Sequence, residues 1–350
     1  MREKTAKRPM PSWATLTRTS LVVGAVIVGA LLLWQLSNVL LLFFGAIVVA
    51  VILRSGAKAL EDNTPVKAPW SLILSILAIA ALMGGFFFLL GTQIASEASS
   101  LVQRLPEMIA SLGERIGVDD LYERLTERAT QFAGRGDVAS EVAGYTSVLV
   151  GALTNFVLVL VAGIYLAARP RQYRRGILKL VPPRLRDNTS DTFENAGRAL
   201  RLWLLGQLVS MAIVGALITL GLYLIGMPSA LALGLLAGLS EFVPIVGPIL
   251  SAVPALLLAL SEGGNMIFWV IGLYVAVQQI ESNVVMPLVQ RETVDLPPVL
   301  TLFALLAFGV LFGPLGVLLG TPLTVILYVV VNQLYLRDTL QEDVDIPGSK

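Results

Sequence analysis

Between Leu202 and Ser261 the chain carries a single charged side chain, Glu241. Close after it come Pro244, Gly247, Pro248 and Pro254. Proline removes a backbone donor and clashes with the preceding helical turn, and glycine lets the chain turn tightly. Broken backbone at membrane depth is tolerated only where protein buries it or water reaches it. An ionisable group there is costly and points to function. Residues 240–260 therefore read as an interrupted membrane hairpin lining a transport path.

Composition supports the lipid setting. The chain has 350 residues, of which 56% are hydrophobic and 14% charged, whereas a soluble domain is nearer a quarter charged. The predicted class is an all-α integral membrane protein. It has about eight transmembrane segments, two of them Gly/Pro-broken re-entrant hairpins, and an extracytoplasmic amphipathic helical insertion. The lipid bilayer is its first partner, and a net charge of +1 implies no nucleic acid. There is no cysteine and no histidine, which excludes disulfides, thiol catalysis and zinc sites built on those residues. Proton chemistry falls to carboxylates, Lys or Tyr. No cofactor and no metal are expected.

Residues 1–18 form a basic cytoplasmic arm, in keeping with the positive-inside rule. The membrane segments of 19–92 follow. Leu21–Leu36 and Val39–Leu53 are expected to make a tight helical hairpin joined by Ser37 and Asn38, the first run being retained because no cleavage site follows it. Arg54 and Lys58 mark its cytoplasmic end, Trp70 sits as an interfacial aromatic, and Ser71–Gly91 is the third span. Residues 93–145 change character: Leu101, Leu105, Leu112 and Ile116, then Leu121, Leu125 and Phe132, recur at helical spacing among many acids. They read as amphipathic helices outside the membrane, whose apolar stripes pack on each other, on the membrane surface or on a neighbouring subunit.

Thr146–Ala168 is the returning span, and residues 169–201 form a strongly basic cytoplasmic loop and helix. Anionic lipid is a possible contact there, with simple topology the plainer reading. The membrane core of 202–336 opens with Leu202–Gly226, closed by a turn at Met227–Pro228. Ser229–Ser240 and Ile249–Leu260 flank the Glu241 break as half-helices, each about 18 Å long, short of the ~30 Å hydrocarbon core. Met266–Val285 is a further span. Val299–Leu336 repeats the broken pattern at Gly313-Pro314 and Pro322 but lacks the acid. Paired broken segments mark the binding region of transporters built on repeats. Residues 337–350 are a polar cytoplasmic tail, and an even number of crossings places both termini in the cytoplasm.

Glu241 is the first site candidate: it titrates, or it contacts a cation or polar solute. The alternative is an acid at a hairpin tip that caps exposed backbone N–H groups. Glu281, with Gln278, Gln279 and Asn283, is the second; Gln278 and Glu281 share a helix face. They either line the same path or form the polar cap of a span meeting water. Pro287 ends that segment, and Arg291 is a possible partner of Glu281. Gln207, Asn155 and Asn332 read as interhelical glue. No G-x-x-x-x-G-K-[ST] phosphate loop, H-E-x-x-H or Gly-x-Gly-Asp motif is present, so neither an enzyme nor an ATP-driven pump of that kind is expected.

These residues carry a resemblance. Glu241-Phe-Val-Pro244-Ile-Val-Gly247-Pro248, with Pro254, resembles the Glu-x-x-Pro-x-x-Gly-Pro signature of the autoinducer-2 exporter family, also called PerM-like permeases. Gln279-Ile-Glu281-Ser-Asn283 through Pro287 resembles its second motif, and Leu311-Phe-Gly313-Pro314-Leu-Gly316 with Pro322 its third. Two positions depart: Gln290-Arg291 stands where the family usually has a glycine, and Leu296-Pro297-Pro298 where it often has Leu-His-Pro. The resemblance implies a multi-pass transporter of the bacterial inner membrane. It also implies a homo-oligomer, a pentamer, that exports a small polar solute such as the autoinducer-2 quorum-sensing signal. Sodium or lithium/proton antiport is the alternative within the family. A non-transporting oligomeric scaffold, acting through 93–145, is the alternative outside it.

Overall fold

The computed structural model describes residues 21–85 (apart from 22, 25, 26, 30 and 68), 88, 91, 138–290, 294 and 296–348, with the backbone alone given for 138–149 and 289–290. The basic arm and most of the 93–145 insertion lie outside these. The described residues contain helices and no strand. The major helices are α1 (Ser37–Asn63), α2 (Trp70–Gly85), α3 (Val138–Ala168), α4 (Pro170–Leu180) and α5 (Arg186–Ile225). They continue as α6 (Ala230–Ser240), α7 (Val246–Glu262), α8 (Met266–Ile280), α9 (Met286–Gln290) and α10 (Pro298–Val330). Among the described residues, four helical stretches are long and apolar enough, by length and composition, to cross a membrane: Ser37–Asn63, Val150–Ala168, Pro183–Ile225 and Pro298–Arg337. Large apolar side chains such as Val39, Phe156, Leu224 and Phe303 stand exposed along them, as a lipid-facing surface requires. This is an all-α integral membrane protein.

The spine is α5. It runs 40 residues without a break, about 60 Å, joining the predicted cytoplasmic helix Asn188–Arg201 to the predicted span Leu202–Gly226. Nothing between them breaks a helix, so the two fuse. The helix stops where the sequence supplies glycine: Gly226 has φ 80°, and the Met227 N–H donates to the Leu222 carbonyl at 2.9 Å. This 6→1 closure needs a left-handed residue, and Pro228 follows it. Helices α1, α6, α8 and α10 all pack on α5.

The first two apolar runs correct an expectation. They do not form a hairpin at Ser37-Asn38. Leu36 is a single turn residue in the right-handed helical region (φ −86°, ψ 0°), with helix on both sides and the Leu36 N–H to Leu32 and Leu40 N–H to Leu36 hydrogen bonds, both 2.9 Å, flanking it, so the chain bends there rather than reversing. Ser and Asn are only mild helix formers, and neither Gly nor Pro is present to force a reversal.

Three apolar clusters hold the fold. One gathers Leu41 and Phe44 of α1, Leu200 and Trp203 of α5, and Leu319 and Val325 of α10. A second lies between Ile218 and Leu222 of α5, the pair α6–α7, and Val270 of α8. A third joins α1, α2 and α3 around Leu53, Leu72 and Ala167. The acidic tail folds back: Ile346 is buried in the first cluster, and Asn188 Nδ2 donates to Asp338 at 3.3 Å.

Both Gly/Pro breaks fold as hairpins. In the first, a Cβ on Gly247 would lie 2.0 Å from the Ser240 carbonyl oxygen, so the arms meet at backbone distance. In the second, α10 is interrupted at Gly313 (φ 65°, ψ −148°), and a Cβ on Gly316 would lie 2.0 Å from the Phe308 oxygen. With 11 and 17 residues, α6 and α7 measure about 16 and 26 Å, each shorter than a ~30 Å core.

Candidate functional site

Glu241 follows directly on α6. Its N–H donates to Ala237, and tight turns carry the chain over the tip to the Gly247 N–H, which donates to Val243 at 2.8 Å. Pro244 supplies fixed φ and no donor. Its carbonyl accepts from the Val246 N–H at 2.8 Å around Ile245, whose φ is 71° and ψ −49°. This is the rare hand of γ-turn, strained for any side chain and most of all for a β-branched one. Such strain, of order 1–3 kcal/mol, persists only where the surroundings impose it, and it clusters at functional sites.

The turn delivers Glu241 to the interior, where it is 1% exposed. Glu281, 5% exposed, stands beside it from the end of α8, close enough for the two carboxyl groups to interact. An ionised carboxylate only accepts, so the two carboxyls can bond each other only when one of them carries a proton. Gln278 Nε2 donates to Glu281 Oε2 at 3.0 Å, and Gln207 Nε2 from α5 donates to the Glu241 backbone carbonyl at 2.6 Å. Glu241 Oε2 is buried without a hydrogen-bond partner among the described residues.

Glu281 opens a π-helical turn, Glu281–Val285, in which the Met286 N–H donates to the Glu281 carbonyl. Such single π-turns inside α-helices occur frequently at functional sites. Pro287 has a plain part in it: its ring clashes with the carbonyl four residues back, that of Asn283, and loosens the ladder there.

The predicted residues divide accordingly. Glu241, Glu281 and Gln278 come together, and Pro244, Gly247 and Pro248 shape the tip that presents Glu241. Pro254 lies within α7, away from that tip. Asn283 is exposed and bonds its own helix, donating to the Gln279 carbonyl at 2.8 Å; Pro287 is exposed as well. Gly313 and Pro314 form the second tip, and Pro322 is buried in its second arm. The two tips share a core: Phe242 from the first, and Phe312 and Leu315 from the second, pack on the cluster around Trp203. Arg291 lies outside the described residues.

Gln207 is the partner the sequence placed only as glue. Ser210 of α5 and Thr321 of the second hairpin were not singled out; both hydroxyls are buried without a partner among the described residues. A readable sign was also passed over. Gly234 and Gly238 are four apart on α6, and both approach the backbone of α5 closely, a Cβ on Gly238 meeting the Met211 carbonyl oxygen at 2.7 Å. Small residues at that spacing bring membrane helices into backbone contact. Beside that seam lies an apolar crevice of about 870 Å³, walled by Met83, Gly215, Tyr223, Leu235, Gly238 and Leu239. Glu241 follows two residues beyond Leu239 and is not part of this wall. Among the described residues, no cluster of three or more acids could hold a metal ion.

Comparison with known proteins gives one family. The profile of the AI-2E family transporters matches residues 23–336. The chain is 23% identical to "Putative transport protein YueF" of Bacillus subtilis, over 85% of its own length and 84% of the relative's. It is 29% identical to "Putative transport protein MT0215" of Mycobacterium tuberculosis, over 86% and 85%. Identity to "Putative transport protein YrrI" of Bacillus subtilis is 26%, over 61% of each chain.

Proposed function

The chain belongs to the AI-2E family of transporters, and on that premise we propose that it is a secondary transporter or facilitator exporting a small polar solute. The autoinducer-2 signal is the cargo its resemblance implies. Members of this family are transporters rather than enzymes, and a transporter must let a polar cargo pass a lipid-buried core. One observation carries the reading here. A buried carboxyl, Glu241, has one oxygen unpaired and is presented by a strained break between two short helices. Leaving a buried polar atom unpaired costs about 1–3 kcal/mol, and a site held at that cost suits a path that is closed in this conformation. The two hairpins, whose tips share one core, are the moving parts, and Glu241, Glu281 and Gln278 supply the polar lining.

The facing carboxyls favour a second reading within the family, Na⁺(Li⁺)/H⁺ antiport, because a buried pair of acids can take up either a proton or a monovalent cation. We place the protein in the bacterial inner membrane as a homo-oligomer. The basic segment 169–201 and the tail docked near it then face the cytoplasm, on the positive-inside rule.

Flux through proteoliposomes tests this. Glu241→Gln, folded and monodisperse, is expected to lose most transport of autoinducer-2, or of Na⁺ and Li⁺ under an imposed pH gradient. Flux equal to wild type for every cargo would remove Glu241 from the path. It would leave the scaffold reading, in which deleting 93–145 abolishes function and Glu241→Gln does not.

A further inference from the structure

We propose that α4 lies in the membrane interface and binds the headgroups of anionic phospholipids. The span ending at Ala168 and the helix beginning at Pro170 are separated by one residue, Arg169, whose backbone (φ −134°, ψ 53°) is not helical. The chain therefore leaves the membrane and starts a second helix within a residue of its surface.

That helix has three different sides. Tyr173, Ile177 and Leu180, at i, i+4 and i+7, make an apolar stripe; all three are exposed, Leu180 by 86%. Arg171, Arg175 and Lys179, at i, i+4 and i+8, make a basic stripe. Between the stripes Arg174 fastens the helix to α5, donating to Ser190 Oγ at 2.7 Å and pairing with Glu194 at 3.1 Å. Helix α4 has no buried residue. Burial inside the protein thus does not account for its apolar stripe, and an amphipathic helix of this kind belongs at a lipid surface.

The basic stripe names the lipid. Among the described residues, Arg171, Arg175 and Lys179 have no ion-pair or hydrogen-bond partner. They line an open cavity of about 990 Å³ together with Arg54, in the second half of α1, and Arg169. Five cations around one hollow, with no acid in its wall, complement a phosphate. Immediate succession to a membrane span makes a lipid phosphate the one within reach. Charge alone would serve to orient the chain, but orientation requires neither an apolar stripe nor a clamp that holds both stripes outward.

The test uses the full chain in nanodiscs. Because the chain has no cysteine, Leu180→Cys takes a single environment-sensitive fluorophore. In phosphatidylglycerol discs, doxyl-labelled acyl chains are expected to quench it and aqueous iodide is not. Quenching by iodide alone, or protection from both quenchers by a protein partner or second copy, overturns the proposal. Native mass spectrometry of the purified protein reads the headgroup. Wild type is expected to retain phosphatidylglycerol over phosphatidylcholine. The triple variant Arg171→Gln, Arg175→Gln, Lys179→Gln should lose that preference by tenfold or more, on the order of what three interfacial charges supply. Unchanged preference in the folded variant, or displacement of the lipid by millimolar inorganic phosphate, also overturns it.

Discussion

Gln207 donates its side-chain N–H to the backbone carbonyl of Glu241 at 2.6 Å, which ties the tip of the first hairpin to the middle of α5. Both residues are buried, so the bond is out of competition with water. Gln207→Leu leaves that carbonyl without its amide and is expected to cost about 1–3 kcal/mol. A lowered unfolding midpoint in detergent checks it. The same midpoint as wild type would mean that the tip holds its place without α5.

Backbone approach at the first hairpin gives a sharper contrast. A Cβ on Gly247 would meet the Ser240 oxygen at 2.0 Å and the Ser240 carbonyl carbon at 2.4 Å, and backbone atoms cannot swing aside as a side chain can. Gly247→Ala is expected to cost about 3 kcal/mol or more and to reduce monodisperse yield. Gly272 of α8 has nothing within 4 Å of its hypothetical Cβ. Gly272→Ala is therefore expected to be neutral or to stabilise by up to about 1 kcal/mol. Thermal unfolding of the two variants side by side measures the difference.

Those glycines also show what could be read from the chain alone. Gly and Pro fix local geometry by themselves, so the breaks at 241–248 and 313–314 were legible, as was the stop at Gly226. Hydropathy placed the apolar helices because it depends on composition alone. The hairpin at Ser37-Asn38 was a misreading, since polar residues inside an apolar run signal a turn only when something also forbids the helix. The meeting of Glu241 with Glu281 was beyond the sequence. It depends on how α8 packs against α5 and the first hairpin, which no local residue signature fixes. The Gly234–Gly238 spacing, by contrast, was there to be read and pointed to the α5–α6 seam.

The acid pair is expected to separate hydrogen bonding from charge. An amide can donate to a facing carboxylate, so Glu281→Gln should keep the two side chains in contact and stay within about 1 kcal/mol of wild type. Glu281→Leu removes the partner of Glu241 and the acceptor of Gln278 together, at a cost of about 3 kcal/mol or more. A double-mutant cycle with Glu241→Gln should show coupling of about 0.5–3 kcal/mol. Strict additivity would mean that the two carboxyls do not act as a pair.

Ile245 offers the test in which stability and transport part company. Its side chain is 45% exposed, so little burial is lost on removing it, while its φ of 71° is a conformation that glycine adopts freely. Ile245→Gly is therefore expected to raise the unfolding midpoint or leave it unchanged, the relieved strain of about 1–3 kcal/mol outweighing or matching the added chain entropy. Ile245→Val, β-branched as before, keeps the strain and gives no such gain. If the strained tip is what opens the path, strain stored in the closed form helps it open, and its relief deepens the closed state. Flux should then fall in Ile245→Gly although the protein is no less stable. A tip that only joins two helices would show flux unchanged, so paired measurement of unfolding and transport distinguishes a moving tip from a fixed one.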